Sequence, residues 1–211
     1  MSRSAIPTYT TNQIITAAHG NSYWRDNEAA HWSLIGDVPQ DYELIQQKTL
    51  GINGAIEFTG ISQDYSHLEM FVSGRMMASA IYDIVCLRLN GDTGANYDHE
   101  KLFYEDFYEG SGSNQIAQTR GFIGWYPGQS AAPSNLNGYS VLHFINYSGT
   151  SGNKVVLVET SSKTGITTGK MTVVFVANYW RSSAAITKIR LYGNTTINFQ
   201  AGAQATLYGI K

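Results

Sequence analysis

Residues 81–97, IYDIVCLRLNGDTGANY, constrain the chain most, because they put apolar side chains on both faces of one extended segment. Ile81, Val85, Leu87 and Leu89 fall on one face of a strand, and Tyr82, Ile84 and Cys86 fall on the other. A strand apolar on both sides belongs inside a sandwich or at a subunit contact. The Asn-Gly-Asp-Thr-Gly-Ala-Asn stretch that follows is turn chemistry: glycine tolerates positive φ, and Asn and Asp bond their own nearby backbone.

Downstream of residue 55 the pattern is almost wholly β. Ile56 and Phe58 alternate with Glu57 and Thr59, and Leu68, Met70 and Val72 alternate with His67 and Glu69. Residues 97–109 are open between a strand pair and a short helix. Strands are expected over 115–125, 139–147, 154–160, 170–179, 186–192 and 203–210, with a long polar loop over 127–138. In 170–179, Met171, Val173, Phe175 and Ala177 make one face and Val174 and Val176 the other; in 186–192, Ile189 and Leu191 oppose Lys188 and Arg190. About eight to ten short strands without an intervening long helix predict an antiparallel sandwich of jelly-roll type over residues 55–211.

The first 54 residues differ in character. Residues 1–13 read as a polar arm. Thr16 is an N-cap for a helix over 17–34, which Gly36, Asp37 and Pro39 would stop. Residues 41–50 are a short amphipathic piece of open type, and 51–54 a linker. This predicts two parts: a helical anchor, 1–54, and a sandwich domain, 55–211.

Composition narrows the function. Of the 211 residues 14% are charged, against the usual quarter, and the formal net charge is −2. Lysine and arginine are scattered, so there is no electrostatic footprint for a nucleic-acid backbone. No apolar run is long enough to span a bilayer, and residues 1–12 lack the apolar core of a signal peptide, which predicts synthesis in a cytoplasm. Cys86, the only cysteine, reads as a small buried hydrophobe.

Three segments carry a resemblance. LRLNGDTGANY, WRSSAAITKIRLYG and the terminal FQAGAQATLYGIK, in this order, resemble a group of tailed-phage and prophage virion proteins, and the likeness covers residues 55–211. It implies a structural or attachment role in a phage particle, with homo-oligomerisation, a trimer by analogy with phage fibres and knobs, and other virion proteins as partners. Residues 16–27, TAAHGNSYWRDN, also resemble the leader of phage structural proteins, where Tyr23, Arg25, Asp26 and Asn27 match and Gly20 departs. With Trp24 and Trp32, these residues imply a docking or trimerising arm, or else a helix that covers one end of its own sandwich.

Candidate chemistry is thin. The run Asp98, His99, Glu100, Glu105, Asp106 and Glu109 holds carboxylates of the kind a glycosidase pairs across a sugar, but as a charge run it reads as a solvated face. Asp92, Asn96 and Asp98, after Asn90, offer alternate oxygens for calcium, but Asx turns explain them and no bidentate glutamate follows at the calcium-loop spacing. The five histidines are spread widely and read as structural. Asn146-Tyr-Ser and Asn194-Thr-Thr read as turns rather than glycosylation sites. The serine elbow, the Walker loop and the dinucleotide glycine motif do not occur, so no enzyme and no cofactor is expected. Trp125 and Tyr126, beside the 127–138 loop, and Tyr104 and Tyr108 are aromatic rings near amides, a combination that suits a host glycan or the closing of a sandwich end or intersubunit seam.

Overall fold

The computed structural model describes residues 42–105, 111–129, 132–163, 171–194 and 198–211. The expected N-terminal helix and its residues Tyr23, Trp24, Arg25, Asp26, Asn27 and Trp32 lie outside them, as does Tyr108. The described residues form twelve strands and no helix: β1 (Tyr42–Thr49), β2 (Ile56–Thr59), β3 (His67–Gly74), β4 (Tyr82–Leu89), β5 (Tyr97–Glu105), β6 (Ser111–Gln118), β7 (Gly121–Pro127), β8 (Gly138–Ile145), β9 (Lys154–Lys163), β10 (Met171–Trp180), β11 (Lys188–Gly193) and β12 (Gln204–Ile210). All strand pairings are antiparallel.

An eight-stranded sheet runs β1-β12-β3-β8-β9-β10-β5-β6, and a four-stranded sheet runs β2-β11-β4-β7. The pairing is nested: β1 lies beside β12, β2 beside β11, β3 beside β8 and β4 beside β7. The first and last of the described strands pair with each other, and each step inward switches sheet. The hairpins β5–β6 and β9–β10 interrupt this nesting, and both lengthen the larger sheet beyond β8.

The alternation read from sequence builds the core. Met70, Leu142, Val158 and Val176 lie side by side on the inner face of the large sheet, with Leu68, Phe144 and Val156 in the next row. They pack against Ile56, Phe58, Val85, Leu87, Ile189 and Leu191 of the small sheet in a single cluster. Burial of each such side chain contributes about 1.5–3 kcal/mol. Several polar side chains in this core pair with one another or with backbone. The Tyr126 hydroxyl lies 2.9 Å from Ser140 Oγ, Ser140 Oγ lies 2.6 Å from Thr160 Oγ1, and Thr160 Oγ1 donates to the Ile123 carbonyl at 2.9 Å. Asn178 accepts from the Phe122 N–H and donates to the Phe122 carbonyl, both at 2.8 Å, so one amide ties β10 to β7 across the layers.

Several expectations need correction. The compact unit begins at Tyr42, not Ala55, because residues 42–49 pair with β12. The single strand expected over 115–125 is two strands in different sheets, broken at Thr119 and Arg120. Residues 97–105 are strand. The Asn-Gly-Asp turn has the foreseen geometry: Asn90 and Gly91 have φ of 50° and 74°, and the Asp92 N–H donates to the Leu89 carbonyl at 2.9 Å.

Arg75 organises the 127–138 loop. Its buried guanidinium donates to the carbonyls of Gly128 (2.6 Å), Ala132 (2.9 Å), Leu136 (3.0 Å), Gln129 (3.3 Å) and Pro133.

Candidate ligand cavity

The large sheet is twice as wide as the small one, and its β5–β6 end reaches round the β7 edge. There the inner face changes from aliphatic to polar: following the register outward from β10, Asn178 leads to His99 and Val176 to Lys101. These two side chains meet Phe122 and Trp125 of β7. The His99 ring stacks on Phe122 with centroids 5.7 Å apart, and Lys101 Nζ sits 4.4 Å from the Phe122 centroid. Phe122 and Phe103 approach the Trp125 ring edge-on at 5.2 Å and 5.5 Å.

Two β-bulges make this arrangement. In β7 the register slips between Val85 and Cys86, so that Phe122 faces Cys86 while Trp125 faces Ile84. Residues three apart would occupy opposite faces of a regular strand; one extra residue, Ile123, puts both rings on the outer face of the small sheet. In β6 a slip opposite Asp98 does the same for Gln115 and Gln118, which pair with His99 and Tyr97. Ala117 adopts a φ of 55° there, and its N–H donates to Asp98 Oδ1 at 2.8 Å.

The result is a cavity of about 250 Å³ between the β5–β6 hairpin and the outer face of the small sheet. Its walls carry the rings of Phe122 and Trp125, the amides of Gln115, Gln118 and Asn194, and the cations Lys101 and Arg120, and no carboxylate among the described residues. His99 is 5% exposed, and neither ring nitrogen has a hydrogen-bond partner. Gln115 lies near enough to influence its titration without reaching hydrogen-bonding geometry. Burial, and then the neighbouring Lys101, hold the His99 pKa below its ordinary value, so the ring is neutral at pH 7 and can donate one hydrogen bond and accept one. Burial also lowers the pKa of Lys101. Cys86 in the cavity wall is pushed up to about 12 by burial, which keeps it an unreactive thiol. Beyond the cavity, the outer face of the small sheet is basic: Arg88 and Arg190 flank the Tyr192 ring at 4.7 Å and 5.5 Å, and Lys188 pairs with Glu57 at 2.8 Å.

The residues named from sequence scatter. Trp125 lines the cavity, whereas Tyr126 points the opposite way and is wholly buried in the core, so its ring is withdrawn from any ligand. Tyr104 is 45% exposed on the far, outer face of the large sheet, beside Val173. His99, expected on a solvated face, is a cavity residue. The calcium candidates are occupied internally: Asp92 accepts from Gly94 N–H, Asn96 Nδ2 and Trp180 Nε1 at 2.8, 3.0 and 2.7 Å, and Asp98 accepts from Ala117 N–H and Arg181 Nη2. Among the described residues no group of three or more His, Cys, Asp or Glu is placed to hold a metal ion.

Sequence reasoning missed the cavity because straight alternation separates Phe122 from Trp125 and Gln115 from Gln118. No family model, no curated protein and no solved structure matches this chain.

Proposed function

We propose that this chain is a non-enzymatic structural component of a tailed-phage particle, a fibre or decoration protein built as a jelly roll and assembled as a homo-oligomer, with a trimer favoured by analogy. The nested order of β1, β2, β3, β4, β7, β8, β11 and β12 supports the jelly-roll reading, since rolling up a long antiparallel ribbon pairs first with last and alternates the two layers. On this reading β5–β6 and β9–β10 are insertions. The resemblance of the Asn-Gly-Asp, Ser-Ala-Ala-Ile and Leu-Tyr-Gly-Ile segments to virion proteins supplies the setting, and residues 1–41 would provide the attachment to other virion proteins.

One observation supports the oligomer: the outer face of the large sheet carries large apolar side chains among polar ones, and no described residue covers them. One cross-strand row reads Thr206, Phe71, Val141, Glu159, Phe175 and Leu102, and the next reads Gln204, Ser73, Tyr139, Ser161, Val173 and Tyr104. Phe71, Phe175 and Tyr139 are 45%, 44% and 57% exposed, and a groove of about 470 Å³ runs between the rows. Soluble monomers rarely leave several large apolar side chains this close together in water. Copies that bury it gain about 1 kcal/mol for each large side chain covered, since each is already about half buried. The second face of β4 needs no neighbouring chain at its Ile84 and Cys86 end, which the β5–β6 hairpin of the same chain covers.

The Trp125 cavity favours a second reading, an adhesin that takes a host surface glycan through this site. Gold-labelled antibody on intact particles tests the first reading. Label at a fixed head or tail position is the expected result, and particles that never carry the protein would overturn it. Abolition of glycan-array signal by Trp125→Ala would support the adhesin, and no signal at high protein concentration would remove it.

A further inference from the structure

We propose that the cavity beneath the β5–β6 hairpin binds one carboxylated sugar residue, a uronic acid or a related acidic monosaccharide. The inference rests on the adhesin reading and adds the ligand class.

The first observation is His99. A side chain 5% exposed with two unpartnered ring nitrogens is an unsatisfied donor and acceptor in a wall of the cavity, and such groups cost about 1–3 kcal/mol unless something meets them. Asn194 Oδ1 in the same wall is also buried and unpartnered. A ligand bearing hydroxyls can donate to the amide oxygen and exchange hydrogen bonds with the neutral imidazole.

The second observation is charge. Lys101 and Arg120 line the cavity with no carboxylate among the described residues that line it, in a chain whose formal net charge is −2. The Lys101 ammonium is held over the Phe122 ring rather than released to water. An anion gains there from two cations in partly dehydrated surroundings, and the planar fork of an arginine matches a carboxylate in two parallel bonds.

The third observation is shape. At about 250 Å³ the cavity falls just under the usual range for small-molecule sites, ~300–1,000 Å³, and so fits one ring rather than a chain of them. The Trp125 and Phe122 rings offer apolar surface for the C–H groups of a pyranose, and Gln115 and Gln118 offer amides for its hydroxyls. Charge, amides and aromatic surface together describe an acidic sugar. A simple anion would use only the first, and a neutral sugar would leave both cations unpaired.

The test is titration of the full chain with galacturonate, galactose, acetate and oligogalacturonate, followed by tryptophan fluorescence and by the imidazole nitrogen resonances of His99. Galacturonate should shift both signals and bind at least about tenfold more tightly than galactose or acetate, a difference of about 1.4 kcal/mol. Lys101→Gln and Arg120→Gln should each remove most of that preference, bringing galacturonate binding close to that of galactose. Should Trp125→Ala not fold, Trp125→Phe keeps an aromatic wall and should retain the charge preference. Tighter binding of oligogalacturonate would identify a polymer end as the source of the residue, and equal binding a free monosaccharide. Equal affinity for galactose and galacturonate would overturn the acidic class and leave the adhesin standing. Equal affinity for acetate and galacturonate would overturn the sugar, and binding of none of the four would overturn both the inference and the adhesin.

Discussion

Trp180 donates its indole N–H to Asp92 Oδ2 over 2.7 Å while its ring stacks on Tyr97 at 6.4 Å, and this contact clasps the Asn-Gly-Asp turn to the end of β10. Asn90 completes the clasp: its amide donates to the Ala185 carbonyl at 2.8 Å and accepts from the N–H groups of Thr187 and Lys188 at 2.9 and 3.1 Å. Two segments about ninety positions apart in the chain are therefore joined in one hydrogen-bonded corner.

That corner gives the first prediction. Asp92→Ala removes three hydrogen bonds to a carboxylate and leaves the indole N–H without an acceptor, which should lower stability by about 2–4 kcal/mol. Asp92→Asn keeps one acceptor oxygen and should cost less. Urea unfolding followed by Trp180 fluorescence measures both.

The pH dependence has two windows, each with its sign set by a lowered pKa. Burial of Asp92 opposes ionisation, but the hydrogen bonds from Trp180, Asn96 and Gly94 outweigh it and hold the carboxyl below the usual range. Its contribution is present above the unfolded value near ~3.9 and is lost as pH falls through the folded value. His99 is lowered by burial, so below ~6.5 the unfolded chain takes up a proton that the fold refuses. Stability should therefore fall with decreasing pH from there, by up to ~1.4 kcal/mol per unit, until His99 protonates in the fold. His99→Phe preserves the stack on Phe122 and should flatten the slope just below pH 6.5, as read by melting temperature against pH.

Arg75 should control the 127–138 loop rather than the sheets. Its buried guanidinium, whose pKa burial lowers, has carbonyls and no carboxylate as hydrogen-bond partners. Arg75→Met strands those carbonyls and should cost roughly 2–4 kcal/mol, with protease cleavage within 127–138 appearing before global unfolding. Cleavage mapped by mass spectrometry distinguishes this from a general loss of stability.

Gly209, in the closing Leu-Tyr-Gly-Ile, has a physical reason to be glycine. A Cβ added there would lie 2.4 Å from the Tyr65 ring. Gly209→Ala should destabilise by about 1–3 kcal/mol, and pairing it with Tyr65→Ala should cost less than the sum of the two changes. A double-mutant cycle in urea measures the coupling.

What the sequence made legible was the strands whose side chains alternate cleanly. Val85, Leu87 and Leu89 of β4, and Val174 and Val176 of β10, face the core as their spacing implied. The strand β1 escaped because an edge strand exposed along most of its length, YELIQQKT, carries no alternation to read. The strand β6, SGSNQIAQ, has one large apolar residue, Ile116, and it is 72% exposed. The cavity was illegible for a different reason. It depends on two bulges and on a register running from Asn178 to His99, relations between distant strands that no local pattern encodes. Asn178 itself left a trace, an amide at an inward position of β10 beside Val174 and Val176, and such a position calls for a partner across the layers.

The central claim is that the uncovered face of the large sheet is buried between copies of this chain. Sedimentation equilibrium of the full-length protein beside Phe71→Glu with Phe175→Glu tests it most directly, since both positions lie in one cross-strand row of that face. A discrete oligomer, three times the 23.2 kDa chain mass if trimeric, that falls to a folded monomer with the double substitution is the predicted result. A wild-type protein that stays monomeric at every concentration, or an oligomer indifferent to both charges, would contradict it.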